Sequence, residues 1–256
     1  MTVAQKVRSH IKRMPEGTVF LSTDIPSYSK EQRATIKALG YYVTSESLKK
    51  KHGTIVKLAD GVYYKEEIGL LGSLPPSYDS LLHALLYSKN KQVGYITGHQ
   101  LFNNRGLSTQ VPSKITVVTS KQAPAQIDLP GIHIEIKHTK NKIKQDDIPA
   151  YELEYILNNM ASIQDLEKDS LTQTLWGYFD KIVDNAKQFK ELYNHLVYKK
   201  TKALFGALLE EYQTSTHKNI SSYLSLIKLD LSSTSEYKLG QLATIIDNSK
   251  QWNIKF

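Results

Sequence analysis

Three groups of residues have types and spacings that could do chemistry. Asp128 followed by Glu135-Ile136-Lys137 has the order of a metal-dependent nuclease site. In such sites paired carboxylates hold Mg²⁺ and a lysine assists the attacking water. The plainer alternative is that Glu135 and Lys137 form the solvent face of an alternating strand. Lys49-Lys50-Lys51-His52 is a cation run suited to phosphate oxygens. The third group, Asn103, Arg105, Ser108, Thr109 and Gln110, is polar and clustered on one loop. It could hold an oxyanion or a phosphate, and its preferred reading is a partner-binding or structural loop. Leu107 and Val111 read as that loop's apolar anchors. More demanding signatures are missing: no Gly-x-x-x-x-Gly-Lys loop, no His-Glu-x-x-His and no Gly-x-Ser-x-Gly. The 8 histidines show no metal-ligand spacing, and the absence of cysteine excludes disulfides, thiolate chemistry and cysteine-ligated zinc. The expectation is a non-enzymatic protein that needs no cofactor and no metal.

Charge says more once it is located. The chain carries a net +8. Residues 1–65 hold 12 lysines and arginines against 5 carboxylates, a net of +7, whereas residues 66–256 hold 21 against 20, a net of +1. A basic module this localised points to nucleic acid. The bland alternative is a solubilising basic domain. At 256 residues, 40% of them hydrophobic, there is room for about two domains with real cores. No signal peptide is visible, and no apolar run reaches the roughly 18 residues of a membrane span. A cytoplasmic location without membrane partners is expected.

The elements that must position these residues follow from periodicity. Val3, Val7, Ile11 and Met14 predict an amphipathic helix over 3–14. Thr18-Val19-Phe20 predicts a strand, and Ser22 a brief helix to Ile25. Ser29 with Gln32 fits a capping box for a helix Ser29–Leu39, with Ala34, Ile36 and Leu39 as its apolar side and Gly40 as its end. A polar helix fits Ser45–His52, anchored by Leu48 and stopped by Gly53. Asp60-Gly61 between Ile55–Ala59 and Val62–Tyr64 predicts a hairpin with a type I′ turn. Helices followed by a basic hairpin describe a winged helix-turn-helix over 1–69. Its base-reading helix is best assigned to Ser29–Leu39 through Lys30, Arg33, Thr35 and Lys37. Lys49, Lys50, Lys51 and His52, with Lys57 on the hairpin, are suited to phosphates, since lysine acts as a point charge.

Gly72 and Pro75-Pro76 mark residues 70–76 as a linker. The rest, 77–256, reads as a small α/β unit over 77–147 and a mostly helical part over 148–256. The fold class is therefore α+β. Ser77 caps a helix containing Leu81, Leu82, Leu85 and Leu86. Val93–Ile96 is a strand, Thr97 and Gln100 fit a capping box that starts a helix at Gly98, and Gly106 ends it. Lys114–Thr119 and Ile132–Lys137 are strands, the latter alternating Ile132, Ile134 and Ile136 with polar residues. Beyond Pro149 apolar spacing predicts helices around Tyr151–Met160, Leu175–Phe189, Ala203–Tyr212 and Ser221–Leu231, packed as a bundle.

Nothing in local structure requires the wording Leu107-Ser-Thr-Gln-Val-Pro112. Gly94-Tyr-Ile-Thr-Gly98, Asn103 and Gly106–Pro112 together resemble the central signature of AbiEi-type antitoxins of type IV toxin–antitoxin systems. Pro15–Phe20 and Gly61–Lys65 resemble that family's winged-helix opening. Ala203–Glu210, Tyr237–Gly240 and Trp252–Ile254 resemble its closing segment. Between Gly40 and Ser47 this chain is several residues longer than the family pattern. The resemblance implies two activities: repression of the protein's own operon by binding operator DNA, and neutralisation of a cognate AbiEii-like nucleotidyltransferase toxin without need of a stable complex. Thr97, Asn103, Arg105, Ser108, Thr109 and Gln110 would belong to the antitoxin motif. A stand-alone winged-helix regulator and a nuclease using Asp128, Glu135 and Lys137 are the alternatives.

Overall fold

A computed structural model describes residues 1–232 and 234–256. The fold is mixed α+β, divided into two compact units. The first comprises residues 1–96 and 113–145, the second residues 97–112 and 146–256. This division departs from the expected boundaries at 70–76, and strand alternation explains why.

Unit 1 opens with α1 (Val3–Arg13), capped reciprocally by Thr2 and Gln5, with Val7 and Ile11 buried. β1 (Val19–Leu21), α2 (Gln32–Thr44), α3 (Glu46–His52), β2 (Ile55–Ala59) and β3 (Val62–Lys65) follow, the strands forming an antiparallel sheet in the order β1-β3-β2. One face of this sheet supplies Phe20 and Tyr63 to a core with Val7, Ile11, Leu39 and Tyr42. The other face supplies Val19, Leu21, Val62 and Tyr64 to a second core. That core is completed by Leu81 and Leu85 of α4 (Tyr78–Leu86) and by Val117, Ile127, Ile134 and Ile136. A sheet apolar on both faces must be covered on both. Residues 1–69 therefore share a core with the segment expected to lie beyond a linker. Polar ties add to this: Ser80 Oγ accepts from Val19 N and donates to Gly17 O, each at 2.9 Å. The nearly buried Lys121 ammonium lies 2.8 Å from Asp24 and donates to Ala84 O and Tyr87 O.

The segment expected as linker is itself a hairpin, β4 (Glu67–Gly69) with β5 (Gly72–Leu74). Ser77 caps α4, accepting from Ser80 N as expected. A two-residue hairpin, β6 (Tyr87–Ser88) with β7 (Lys91–Gln92), is not legible in the sequence, because its turn places Lys89 and Asn90 rather than glycine at positive φ. β8 (Gly94–Thr97), β9 (Ile115–Thr119), β10 (Gln126–Leu129) and β11 (Ile132–His138) form a sheet in the order β10-β11-β9-β8, with β11 and β9 parallel.

Four local expectations are corrected. α2 starts after Glu31 without a side-chain cap, so the Ser29/Gln32 box does not form. It runs through Gly40 to Thr44, because Tyr42 is fully buried and its hydroxyl donates to Gly53 O. Such packing outweighs the ~1 kcal/mol cost of a helical glycine. The hairpin turn has positive φ at Gly61 alone, with a register shift between Lys57 and Ala59, so it is not type I′. Thr97 does not cap the following helix; its hydroxyl is buried and makes no hydrogen bond among the described residues.

Unit 2 is helical: α5 (His99–Asn104), α6 (Ile148–Asn159), α7 (Lys168–Ile182), α8 (Ala186–His195), α9 (Lys199–Thr216), α10 (Ser221–Asp230) and α11 (Leu242–Ile245). A short parallel bridge joins β12 (Tyr237–Lys238) to β13 (Ile254–Lys255). α9 is the central element, continuously buried from Ala203 to Leu209. Its Gly206 faces Trp252, where an added Cβ would come within 2.2 Å of the indole ring. Leu101, Phe102 and Leu107 belong to this core, so the 97–112 motif is part of the helical unit. No helix among the described residues is long and apolar enough to cross a membrane.

Candidate nucleic-acid interface

α2 owes its exposed face to the stripe it buries. Thr35, Leu39 and Tyr42, at i, i+4 and i+7, turn inward. The opposite side carries Gln32, Arg33, Ile36, Lys37, Gly40 and Tyr41 in solvent. Arg33 and Lys37, one turn apart, have no ion-pair partner among the described residues, and Lys30 just before the helix is likewise exposed and unpaired. Thr35 is corrected: it is fully buried, and its hydroxyl shares a 2.8 Å hydrogen bond with Ser27. Ile36 and Tyr41 stand on the surface, 44% and 65% exposed, where the sequence reading places Ile36 on the apolar side and ends the helix before Tyr41. Extending the helix past Gly40 reveals both through their spacing from Arg33 and Lys37.

The α3 cations divide. Lys50 and Lys51 are exposed and unpaired among the described residues. Lys49 lies 2.8 Å from Glu46, and Lys57 on the hairpin lies 2.5 Å from Asp60. His52 is partly buried, and its Nδ1 has no hydrogen-bond partner among the described residues. Burial first, and then the fields of Lys51, Lys12 and Arg8, push its imidazole below the usual range. Its ring is half-buried, whereas Lys50 and Lys51 beside it are exposed, so the lysines are the better phosphate contacts.

The 97–112 motif is held mainly by itself and by its own unit. Gly106 stops α5 with φ of 70°. Asn103 Nδ2 donates to Ser108 O and Gln110 O. The Asp165 carboxylate accepts from Thr109 Oγ1 and Thr109 N, each at 2.7 Å, and from Ser108 Oγ at 2.8 Å. Those bonds, with Thr109's first, hold Asp165 down at about 2. Arg105 pairs at 2.5 Å with buried Glu152, which also accepts from Tyr178 Oη at 2.6 Å. Thr174 Oγ1 donates to Arg105 O. Leu107 is buried as expected, but Val111 is 87% exposed and anchors nothing. Arg105, Thr109, Gln110 and Val111 are all exposed, and of these the Gln110 side chain and Val111 have no hydrogen-bond or ion-pair partner among the described residues.

Asp128, Glu135 and Lys137 lie on one exposed face of β10 and β11, since Asp128 pairs with His133 in register and Glu135 is two residues further on. Asp128 is 3.0 Å from His133 Nδ1. Glu135 is 2.9 Å from Lys114, which lowers its carboxyl below the usual range. No group of three metal-ligating side chains occurs among the described residues. The three residues fit the solvent-face reading.

By unit, the charge contrast is wider than by sequence position. Unit 1 holds 20 lysines and arginines against 10 carboxylates, a net of +10, and unit 2 holds 13 against 15, a net of −2.

Residues 6–168 match the sequence profile of DUF6088, a family of unknown function. No curated protein matches the chain. Among solved structures, the crystal structure of the RV2827C protein from Mycobacterium tuberculosis is similar at 12% identity and a TM-score of 0.45, over 92% of this chain and 84% of that one.

Proposed function

We propose that this chain, which belongs to the DUF6088 family, is a DNA-binding repressor and antitoxin: unit 1 binds operator DNA near its own gene, and unit 2 counters a nucleotidyltransferase toxin. One observation carries the DNA reading. The outward face of α2 presents Arg33 and Lys37, unpaired among the described residues, beside Ile36 and Tyr41, within a unit of net +10. Arginine can bind guanine bidentately, and apolar side chains can meet thymine methyls. The order helix, strand, helices and two strands, with β3 central in the sheet, supports a winged-helix arrangement. The last turn of α2 and the start of α3 then fill the interval in which the sequence exceeds the AbiEi pattern. The antitoxin half rests on the sequence resemblance.

The test is titration of the purified full chain with a duplex from upstream of its gene and with a scrambled duplex. Preferential binding to the first is expected. Arg33→Ala should weaken it by 10- to 100-fold, corresponding to roughly 1–3 kcal/mol, with less effect on the scrambled duplex. Equal affinity of the wild type for both duplexes would defeat sequence-specific repression. Co-expression with the neighbouring toxin gene tests the second half, the expected result being rescue of growth.

A second reading is favoured by the 97–112 loop. Asn103, Arg105, Ser108 and Thr109 already have partners within their unit, which suits a structural motif in a stand-alone regulator. If folded Gln110→Ala and Val111→Ser variants rescue growth as well as wild type, the unpartnered groups of the loop do not carry antitoxin activity.

A further inference from the structure

The sequence locates the positive excess in residues 1–65, yet unit 1 also includes residues 113–145. That segment adds 6 lysines against 2 carboxylates, a net of +4. Counted with the near-neutral remainder of the chain, this excess is invisible. Two of its lysines, Lys114 and Lys121, are paired with Glu135 and Asp24. The other four, Lys137, Lys140, Lys142 and Lys144, fall in one short stretch that also contains His138 and no carboxylate. All four are exposed, and none is in an ion pair among the described residues.

A solubilising run needs no fixed place, but this one is tied to α2. At its start, His138 Nε2 lies 2.9 Å from Ala123 O. The adjacent Gln122 Oε1 accepts from Tyr28 Oη at 3.1 Å, and Tyr28 Oη accepts from Gln32 Nε2 at 2.8 Å. Gln32 is the first residue of α2, next to Arg33. Lys121, on the same connection, is held by Asp24. An exposed polar seam therefore links the first turn of α2 to the start of the lysine tract. A duplex is lined by one phosphate charge per ~1.7 Å of axis, so a cationic tract beside a groove-reading helix suits the flanking backbone.

We propose that unit 1 binds duplex DNA through a bipartite surface, in which α2 faces the bases and Lys140, Lys142 and Lys144 contact phosphates of the flanking backbone. This rests on the DNA-binding reading above. The test uses the full chain carrying K140Q/K142Q/K144Q, titrated with the upstream and scrambled duplexes over a series of salt concentrations. The slope of log affinity against log salt should flatten by about 0.9 for each phosphate no longer neutralised, or roughly 2.7 for all three. The preference for the upstream duplex should be retained, and circular dichroism should match wild type. A control, K181Q/K190Q/K250Q in unit 2, makes the same change in net charge and should leave the slope close to wild type. An unchanged slope for the tract variant overturns the proposal, as does equal flattening by both variants. Tighter wild-type binding to single-stranded RNA than to any duplex also overturns it. If the wild type binds no duplex, the DNA reading falls as well; if binding depends on Arg33 but the tract variant has the wild-type slope, only the tract assignment falls.

Discussion

In unit 2, Asp230 gathers Lys199, Lys202 and Tyr193, and buried Glu152 gathers Arg105 and Tyr178. On α2 of unit 1, Arg33 and Lys37 stand in solvent with no ion-pair partner among the described residues. The same residue types serve opposite ends. Lys199 first, and then Lys202, hold the Asp230 carboxyl well below its usual range, which marks it as ionised and engaged. Unneutralised cations repel one another and contribute little to folding, but they leave counterions to release when a polyanion binds. The difference teaches that pairing, more than the number of charges, separates cations that hold the fold from cations left for a partner.

The most severe way to break this comparison is to cut the chain where its sequence suggests. A fragment of residues 1–70 retains Val19, Leu21, Val62 and Tyr64 but lacks α4 and the second sheet that cover them. Exposing four such side chains costs roughly 6–12 kcal/mol at 1.5–3 kcal/mol each. That is comparable with the whole stability of a typical domain, about 5–15 kcal/mol. The fragment is expected to show no cooperative thermal transition by circular dichroism. A sharp transition would mean that residues 1–70 are an independent domain and that unit 1 is not one body.

Next in size is Glu152→Ala. It removes the partner of Arg105 and the acceptor of Tyr178, leaving one half-exposed cation and one buried hydroxyl. A loss of roughly 2–3 kcal/mol is expected, less than for a fully buried pair because Arg105 can reach water. The urea midpoint should fall while affinity for DNA stays at the wild-type value. A matching loss of DNA affinity would contradict the assignment of binding to unit 1 alone.

What the sequence makes legible, and what it hides, follows the range of the interactions. Ser77, the Gly53 stop and the Ile132–Ile136 alternation act within a few residues, and each appears where expected. The phase of α2 is harder to read, because Gly40 looks like its end. Without Tyr42 the inward stripe lacks its strongest member, and Ala34 and Ile36 then stand in for Thr35 in the expected core. Thr35 is tolerated there only because Ser27, eight residues earlier, satisfies its hydroxyl. The unit boundary is hidden for a similar reason: one strand pattern cannot reveal that both faces of β1 and β3 are covered, one of them by residues beyond Ser77. At the candidate site Arg33, Lys37, Lys50 and Lys51 can be named from sequence. The partners that occupy Lys49 and Lys57 cannot be distinguished from neighbouring charges without side-chain directions.

A smaller effect, confined to acid, is expected at Asp165. Its folded value of about 2 lies below the ordinary 3.8, owing first to Thr109 and then to Ser108. Its contribution to stability is therefore complete above about pH 4 and disappears as pH falls towards 2. Glu154 and Glu211 are raised by burial and act in the opposite sense, so the acid response has to be isolated at one residue. Asp165→Asn should lower the urea midpoint at about pH 6, and the gap from wild type should close between about pH 4 and 2. A gap independent of pH would mean that the substituted amide fails through shape rather than charge.

The smallest expected effect comes from two lysines on one short helix. Lys49 and Lys51 are both on α3, but Lys49 is only 23% exposed and lies 2.8 Å from Glu46, whereas Lys51 is exposed and unpaired among the described residues. An i,i+3 pair is worth only roughly 0.2–0.5 kcal/mol, so pairing alone would not keep Lys49 from a phosphate. Its covered stem is the stronger constraint, because the ammonium must leave both Glu46 and its packing to reach outward. Lys51→Gln should flatten the salt dependence of DNA binding by about 0.9, the value for one phosphate, and Lys49→Gln by clearly less. Neither change should move the thermal midpoint beyond the small range typical of surface substitutions, about 0.5 kcal/mol. Equal flattening by the two variants would show that Lys49 is released on binding, and pairing in the free protein would then cease to separate structural cations from those left for a partner.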